Sequence, residues 1–271
     1  MKNVLRTISL LILLFFSFFY TEKAATVIKN MDEIMIKLKS IEESNCTVEP
    51  IIFDQTIIPG VGCQNIDIER SYQKMKNYNV YNESLIVYKD TYPTETLTKN
   101  LNNYIVSGNK NKNMVSFIFN TSYLDTILNV LDENEIKAAF IVDKKYTEEN
   151  PQMITKLIDM GHLIMNRETS DSFYWVNSII NNVGGQKEKY CYLEDKNNDF
   201  LTMCYKYNSY TVIPNLIIEK NPYQTVKKNL TAGNIISFNT NKQTKDELQI
   251  IINHIKSKGY KIETLQKHLN E

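Results

Sequence analysis

The sequence predicts an α/β fold: a parallel sheet curled into a closed or nearly closed (β/α) barrel of seven units, preceded by a small α+β accessory region and an N-terminal hydrophobic segment. Three observations carry this expectation. From Met114 onward, short apolar runs alternate with stretches of helical spacing, the pattern of a parallel sheet covered by helices. Between residues 26 and 113 no such alternation exists, and turn signals break the chain into short pieces. At the N-terminus, Ile8 to Tyr20 is an almost unbroken apolar run behind Lys2 and Arg6.

Taken in order, residues 1–25 read as a signal peptide or an N-terminal membrane anchor. The run is shorter than the ~20 residues a spanning helix uses, yet Thr21-Glu22-Lys23-Ala24-Ala25 is a poor cleavage exit, with a charge three residues before either alanine. Both readings hold Lys2 and Arg6 inside and put the rest of the chain outside the cytoplasm. Residues 26–113 follow as stalk helix and accessory region. Val27, Met31, Ile34, Met35, Leu38 and Ile41 recur at three and four, as on an amphipathic helix. Beyond it lie the turn signals Pro59-Gly60-Val61-Gly62, Tyr92-Pro93 and Ser107-Gly108-Asn109, and apolar runs at Ile51–Phe53 and Leu85–Tyr88. The polar stretch Asn109 to Asn113 marks the boundary. Residues 114–271 form the barrel, with strands expected at Met114–Phe119, Ala138–Val142, Leu163–Met165, Tyr190–Leu193, Thr211–Ile213, Ile235–Phe238 and Tyr260–Glu263. Helices are expected at Leu124–Glu133, Pro151–Met160, Ser172–Asn182, Asn198–Tyr207, Pro222–Leu230 and Lys245–Lys258, and Gly184-Gly185 reads as a helix stop.

Composition narrows the function classes. The chain has 271 residues, 42% of them hydrophobic, enough for one sizeable core and an appendage. With 31 basic against 31 acidic residues it has no net charge, and nothing calls for a nucleic-acid partner. Four cysteines fall in two local sets, and the expectation is Cys46 with Cys63 and Cys191 with Cys204. Four cysteines allow three connectivities, and a zinc site or free thiols stand beside the disulfide reading. The sequons at Asn45, Asn82, Asn120 and Asn229 are a chance outcome of an Asn-rich chain. There is no G-x-S-x-G, Walker or G-x-G-x-x-G signature.

The ordered motifs carry a resemblance. Met114-Val115-Ser116-Phe117-Ile118-Phe119-Asn120-Thr121, then Ala138-Ala139-Phe140-Ile141-Val142, then Gly161-His162-Leu163-Ile164-Met165-Asn166-Arg167-Glu168-Thr169-Ser170-Asp171 resemble the NodB-type polysaccharide deacetylases. That family shows T-F-D-D-G, A-T-F-F-V and G-H-E-I-G-N-H-x-x-x-H in the same order. The closing Lys256-Ser257-Lys258-Gly259-Tyr260-Lys261-Ile262-Glu263-Thr264-Leu265 resembles its K-x-K-G-Y-x-F-x-T-L segment. The resemblance implies a distorted barrel, and a metal-dependent de-N-acetylase site at the C-terminal ends of the strands. Such a site needs a divalent metal with about three protein ligands, a carboxylate base and an imidazolium acid.

Carried over residue by residue, the chemical groups are missing. The base position falls on Asn120, an acidic ligand on Thr121, the two ligand histidines on Arg167 and Asp171, and the acid histidine on Asn239. Arg167 stays protonated and cannot ligate. The orienting arginine has no candidate, since Arg6, Arg70 and Arg167 are the only arginines. Three histidines remain. His162 matches a framework position, and His254 and His268 lie in late helices. A carboxylate-only site from Asp171, Glu168 and Asp125 or Glu194 is the residual metal reading.

Two readings stand for Arg167 and Asp171: a guanidinium–carboxylate brace in place of the metal, and two side chains turned to solvent. Tyr123, Phe173, Tyr174 and Trp175 are candidates to stack on sugar, against packing as helix core, which at least one of Phe173–Trp175 is expected to do. The expected function is therefore a catalytically inactive, extracytoplasmic deacetylase-like protein that binds envelope glycan or an envelope protein and uses no metal. It is membrane-anchored or secreted. The alternative is an active zinc-dependent de-N-acetylase with a rearranged site, and a third reading is a rigid assembly platform.

Overall fold

The computed structural model describes residues 2–42, 46–184 and 189–271; the Asn45 sequon and Gly185 of the expected helix stop lie outside them. The elements, in order, are α1 (Lys2–Ser40), β1 (Ile51–Phe53), β2 (Thr56–Ile58), β3 (Cys63–Ile66), α2 (Ile68–Lys76), β4 (Tyr88–Thr91), β5 (Tyr104–Ile105), β6 (Met114–Phe119), α3 (Leu124–Glu133), β7 (Ala139–Val142), α4 (Lys144–Glu149), α5 (Pro151–Asp159), β8 (Leu163–Asn166), α6 (Phe173–Gly184) and β9 (Tyr190–Tyr192). There follow α7 (Asn198–Lys206), β10 (Tyr210–Val212), β11 (Leu216–Ile218), α8 (Pro222–Asn229), β12 (Ile235–Phe238), α9 (Lys242–Ser257), β13 (Lys261–Ile262) and α10 (Leu265–Leu269). They fall into two compact units, one of residues 1–47 and 62–91, the other of residues 48–61 and 92–271.

In the first unit, α1 runs unbroken through both the apolar segment and the amphipathic stretch. Its N-terminal side chains from Ile8 to Tyr20 are exposed, and it is long and apolar enough to cross a membrane. Farther along, Ile34 and Leu38 are buried with Ile66 and Met75, while Ile41, expected on the same stripe, lies past the helix end and is exposed. Asp67 caps α2 by accepting a hydrogen bond from the Arg70 N–H at 3.0 Å. Strands β3 and β4 pair antiparallel, and Cys46 is bonded to Cys63.

The second unit is built on one curled, mostly parallel sheet in the order β1-β2-β5-β10-β9-β8-β7-β6-β12-β11, with β13 pairing the start of β6 beside that path. The curl stays open, ending on β1 at one edge and β11 at the other. Two details differ from the sequence reading. The Tyr260–Glu263 segment is a two-residue side pairing instead of a strand of the main path, and β11 takes that place after Pro214 stops β10. Strands β2 and β5, read as accessory region, extend the sheet beyond β10, because Ile57, Tyr104 and Ile105 are fully buried there. The boundary therefore does not fall at Asn113: residues 48–61 and 92–113 pack with the barrel. A further short helix, α4, begins at an Asp143 cap.

Period-2 alternation sets the two faces. Val115, Phe117 and Phe119 of β6 point to the helix layer, where Phe119 stacks on Phe140 and Phe238 at 5.8 and 5.0 Å and packs with Leu128, Leu248 and Ile252. Burying one such aromatic stabilises the fold by roughly 2–3 kcal/mol. Ile118, Ala139, Ile141, Met165, Tyr192 and Ile235 fill the inner side of the curl. The same parity aims the residues beyond the strand ends into the concavity.

Candidate functional site

The inner face opens at the C-terminal strand ends into a cleft of about 320 Å³. Asn120 follows β6, Ile141 lies on β7, Arg167 follows β8, Tyr192 and Glu194 come from β9 and its end, Ile217 from β11, and Ser237 and Asn239 from β12 and its end. Counting in twos along each strand selects this set, with Phe238 as the one lining residue of opposite parity.

Three of the five vestigial positions meet in the cleft. Asn120 donates from Nδ2 to Oδ1 of Asn239 at 2.9 Å, while its own Oδ1 accepts from the Ser122 N–H at 3.2 Å. The two positions that the resemblance assigns to base and acid thus hold neutral amides bonded to each other. Arg167 lines the cleft as a cation. Thr121 and Asp171 are not among the lining residues, and Asp171 is exposed.

The loop after β8 explains the last point. The Asn166 side chain donates to the Phe173 carbonyl at 3.1 Å and accepts from the Glu168 N–H at 2.8 Å. Glu168 accepts from the N–H groups of Ser170 (3.0 Å) and Lys144 (3.1 Å). The hydrogen bond from the Ser170 side chain, foremost, holds its carboxyl below the ordinary range. These side-chain-to-backbone bonds fix the loop.

The Arg167–Asp171 brace is not formed: both side chains are exposed, and no ion pair joins them. The stacking candidates also need correction. Phe173 is fully buried against Cys191, Phe200 and Cys204, with Cys191 and Cys204 bonded to each other, so it is core. Tyr123, Tyr174 and Trp175 are exposed, but none lines the cleft. Tyr123 stands at the N-cap of α3, and Tyr174 and Trp175 lie in the first turn of α6.

The two lining hydroxyls, Tyr192 and Ser237, were not singled out from sequence. Tyr192 is buried, and its hydroxyl lies 2.9 Å from Ser237 Oγ and donates to Glu194 Oε1 at 3.4 Å. Burial, with the nearby Glu194 charge adding to it, pushes its phenol up to about 12, so it stays a neutral hydroxyl. The signal was present as parity: Tyr192 and Ser237 stand two residues before Glu194 and Asn239.

The donor set does not fit a divalent metal. Among the described residues no three His, Cys, Asp or Glu side chains converge. Asp125 faces Lys156 at 3.9 Å, and Glu168 is engaged by backbone N–H groups. Glu194 is the one carboxylate lining the cleft, and it shares that cleft with a guanidinium. The histidines lie elsewhere. His162 accepts the Ala138 N–H at 3.1 Å and packs edge-on to Phe140; His268 pairs with Ser116 Oγ at 2.9 Å beneath the sheet.

Residues 107–192 match the family model described as polysaccharide deacetylase. A curated relative, the uncharacterized protein YlxY of Bacillus subtilis (strain 168), is 33% identical over 113 residues, 40% of this chain and 35% of that protein, so the match spans about a third of the relative's length. Among solved structures, wild-type BA3943, a CE4 family pseudoenzyme from Bacillus anthracis, superposes with a TM-score of 0.68 at 21% identity, covering 89% of this chain and 95% of that one. A BA3943 mutant described as having restored enzymatic activity gives 0.67 at 21% identity, with 89% and 98% covered. Bacillus subtilis PdaA, a family 4 carbohydrate esterase, gives 0.55 at 18% identity over 64% and 87%. The likeness to these structures establishes the fold.

Proposed function

From the premise that this chain carries a degenerate domain of the polysaccharide deacetylase (NodB-type) family, we propose that it is a non-catalytic, extracytoplasmic member that binds envelope glycan at the old active-site cleft. One observation carries the reading: the 2.9 Å bond between Asn120 and Asn239, which occupies the base and acid positions with groups that neither take nor give a proton near neutral pH. The cleft keeps one carboxylate, Glu194, beside the Arg167 guanidinium, and lacks the histidines and the ligand set that the deacetylase chemistry uses.

What remains is suited to binding. The two amides, the Tyr192–Ser237 hydroxyl pair and the Arg167 guanidinium offer donors and acceptors, between walls from Ile141 and Ile217. The exposed apolar part of α1, as signal or anchor, and the two disulfides support a place outside the cytoplasm. The pseudoenzyme description of BA3943, a protein of the same fold, supports loss of catalysis.

The test uses the purified full chain in detergent. Metal content is measured, together with acetate release from N-acetylglucosamine oligomers and retention on insoluble cell-wall material. The reading expects no acetate, no stoichiometric metal, and retention that Asn239→Ala weakens. Stoichiometric zinc with acetate release overturns it; retention of an envelope protein with none on glycan replaces the glycan by a protein partner.

A further inference from the structure

A second cavity lies at the opposite end of the same sheet, away from the cleft. It has a volume of about 210 Å³ and is lined by Tyr92, Leu97, Tyr190, Tyr210, Gln266 and Glu271, among others. Tyr190 and Tyr210 are the first residues of β9 and β10, which places the cavity at the N-terminal strand ends. Their rings stand 5.5 Å apart, tilted by 33°. Tyr92 is 63% exposed at the rim. Thr96, Thr98 and Asn270 add hydroxyl and amide groups around the aromatic wall.

The charge on this lining is one-sided. Glu271 is its only charged residue. The carboxylate is held in place by the N–H groups of Leu97 at 2.7 Å and Gly60 at 3.2 Å. Partial burial raises its carboxyl, and the two backbone bonds offset part of that. An anionic ligand would meet a fixed like charge here; the nearby cation, Lys112, is engaged by the Asn270 carbonyl and is not among the lining residues, and like-charge juxtaposition disfavours wrong partners. The volume is below the roughly 300–1,000 Å³ of sites for drug-sized ligands, so the occupant is about one ring in size. Aromatic walls with a polar margin suit a ring that has an apolar C–H face and a hydroxyl edge.

We propose that this cavity is a separate saccharide site, taking one hexopyranose residue without anionic substituents. It does not depend on the cleft reading, and the experiment keeps the two apart. The full chain in detergent is titrated with N-acetylglucosamine, glucosamine and glucuronic acid, and binding is followed by saturation-transfer NMR. The expected result is binding of the first two and none of the third. Tyr92→Ala, an exposed change that spares folding, weakens that binding about tenfold if one aromatic face is lost. Glu271→Gln admits glucuronic acid, and Ile250→Ala, at an exposed position of α9 that lines neither cavity, leaves all three results unchanged. No binding of any saccharide overturns the proposal. So does binding that survives Tyr92→Ala and disappears in Asn239→Ala, which assigns the sugar to the cleft and leaves the functional reading standing.

Discussion

Arg167 shows how one substitution redirects a site. A guanidinium at a position that the resemblance assigns to a metal ligand repels a cation and cannot donate a lone pair. The sequence left open whether it braces Asp171 in the metal's stead, and the structure separates the two, with the loop held instead by Asn166 and Glu168. Arg167→Ala should therefore leave the melting transition almost unmoved, with a change within about 0.5 kcal/mol as for ordinary surface positions. The same variant should lose affinity for cell-wall material, because the cleft loses its cation. A clear drop in melting temperature would return the side chain to a structural role. The identities at positions 120, 121, 167, 171 and 239 were legible by alignment with motifs. Their mutual bonding was not, since two asparagines 119 residues apart in sequence give no hint that their amides meet.

At the scale of elements, legibility followed strength of periodicity. Strand β6 and helix α3 lie where the pattern put them, because a six-residue run with five apolar side chains and a clear helical stripe each have one packing solution. Strands β2, β5 and β11 have two or three residues, too few to show alternation, and only burial against the sheet identifies them. Helix α6 shows the converse failure: Phe173, Tyr174 and Trp175 look alike in sequence, yet only Phe173 is buried, against Phe200 and the Cys191–Cys204 bond, while Tyr174 stays half-exposed beside Tyr207. Phe173→Ala should cost about 3–5 kcal/mol as a large-to-small core change, read as a lowered urea midpoint at unchanged slope. Trp175→Ala, at a half-exposed position, should cost far less. Equal losses for the two would contradict the assigned helix face.

For the molecule as a whole, two buried histidines act on stability. His162 is 3% exposed and His268 fully buried, and neither Nε2 has a hydrogen-bond partner. Burial, aided by Lys137 near the first and Lys112 near the second, lowers each imidazole to about 4 from the usual 6.5. A depressed histidine is neutral in both folded and unfolded chains above pH 6.5, so its full contribution is present there. Between 6.5 and about 4 the unfolded chain binds the extra protons, and stability falls with pH. Each could withdraw up to about 3 kcal/mol, because every tenfold loss of proton affinity on folding is worth about 1.4 kcal/mol. Glu271, whose carboxyl is raised, works in the opposite sense and blunts the loss at the acid end. Urea titrations at pH 7.0, 5.5 and 4.5 should show a midpoint that drops at each step, while His268→Gln, which keeps a polar group near Ser116, makes the slope shallower. A midpoint that holds steady from 7.0 to 4.5 would mean these imidazoles are hydrated in solution. In that case the base of the sheet would be open to water, and the closed packing of α10 against β6 would have to be given up.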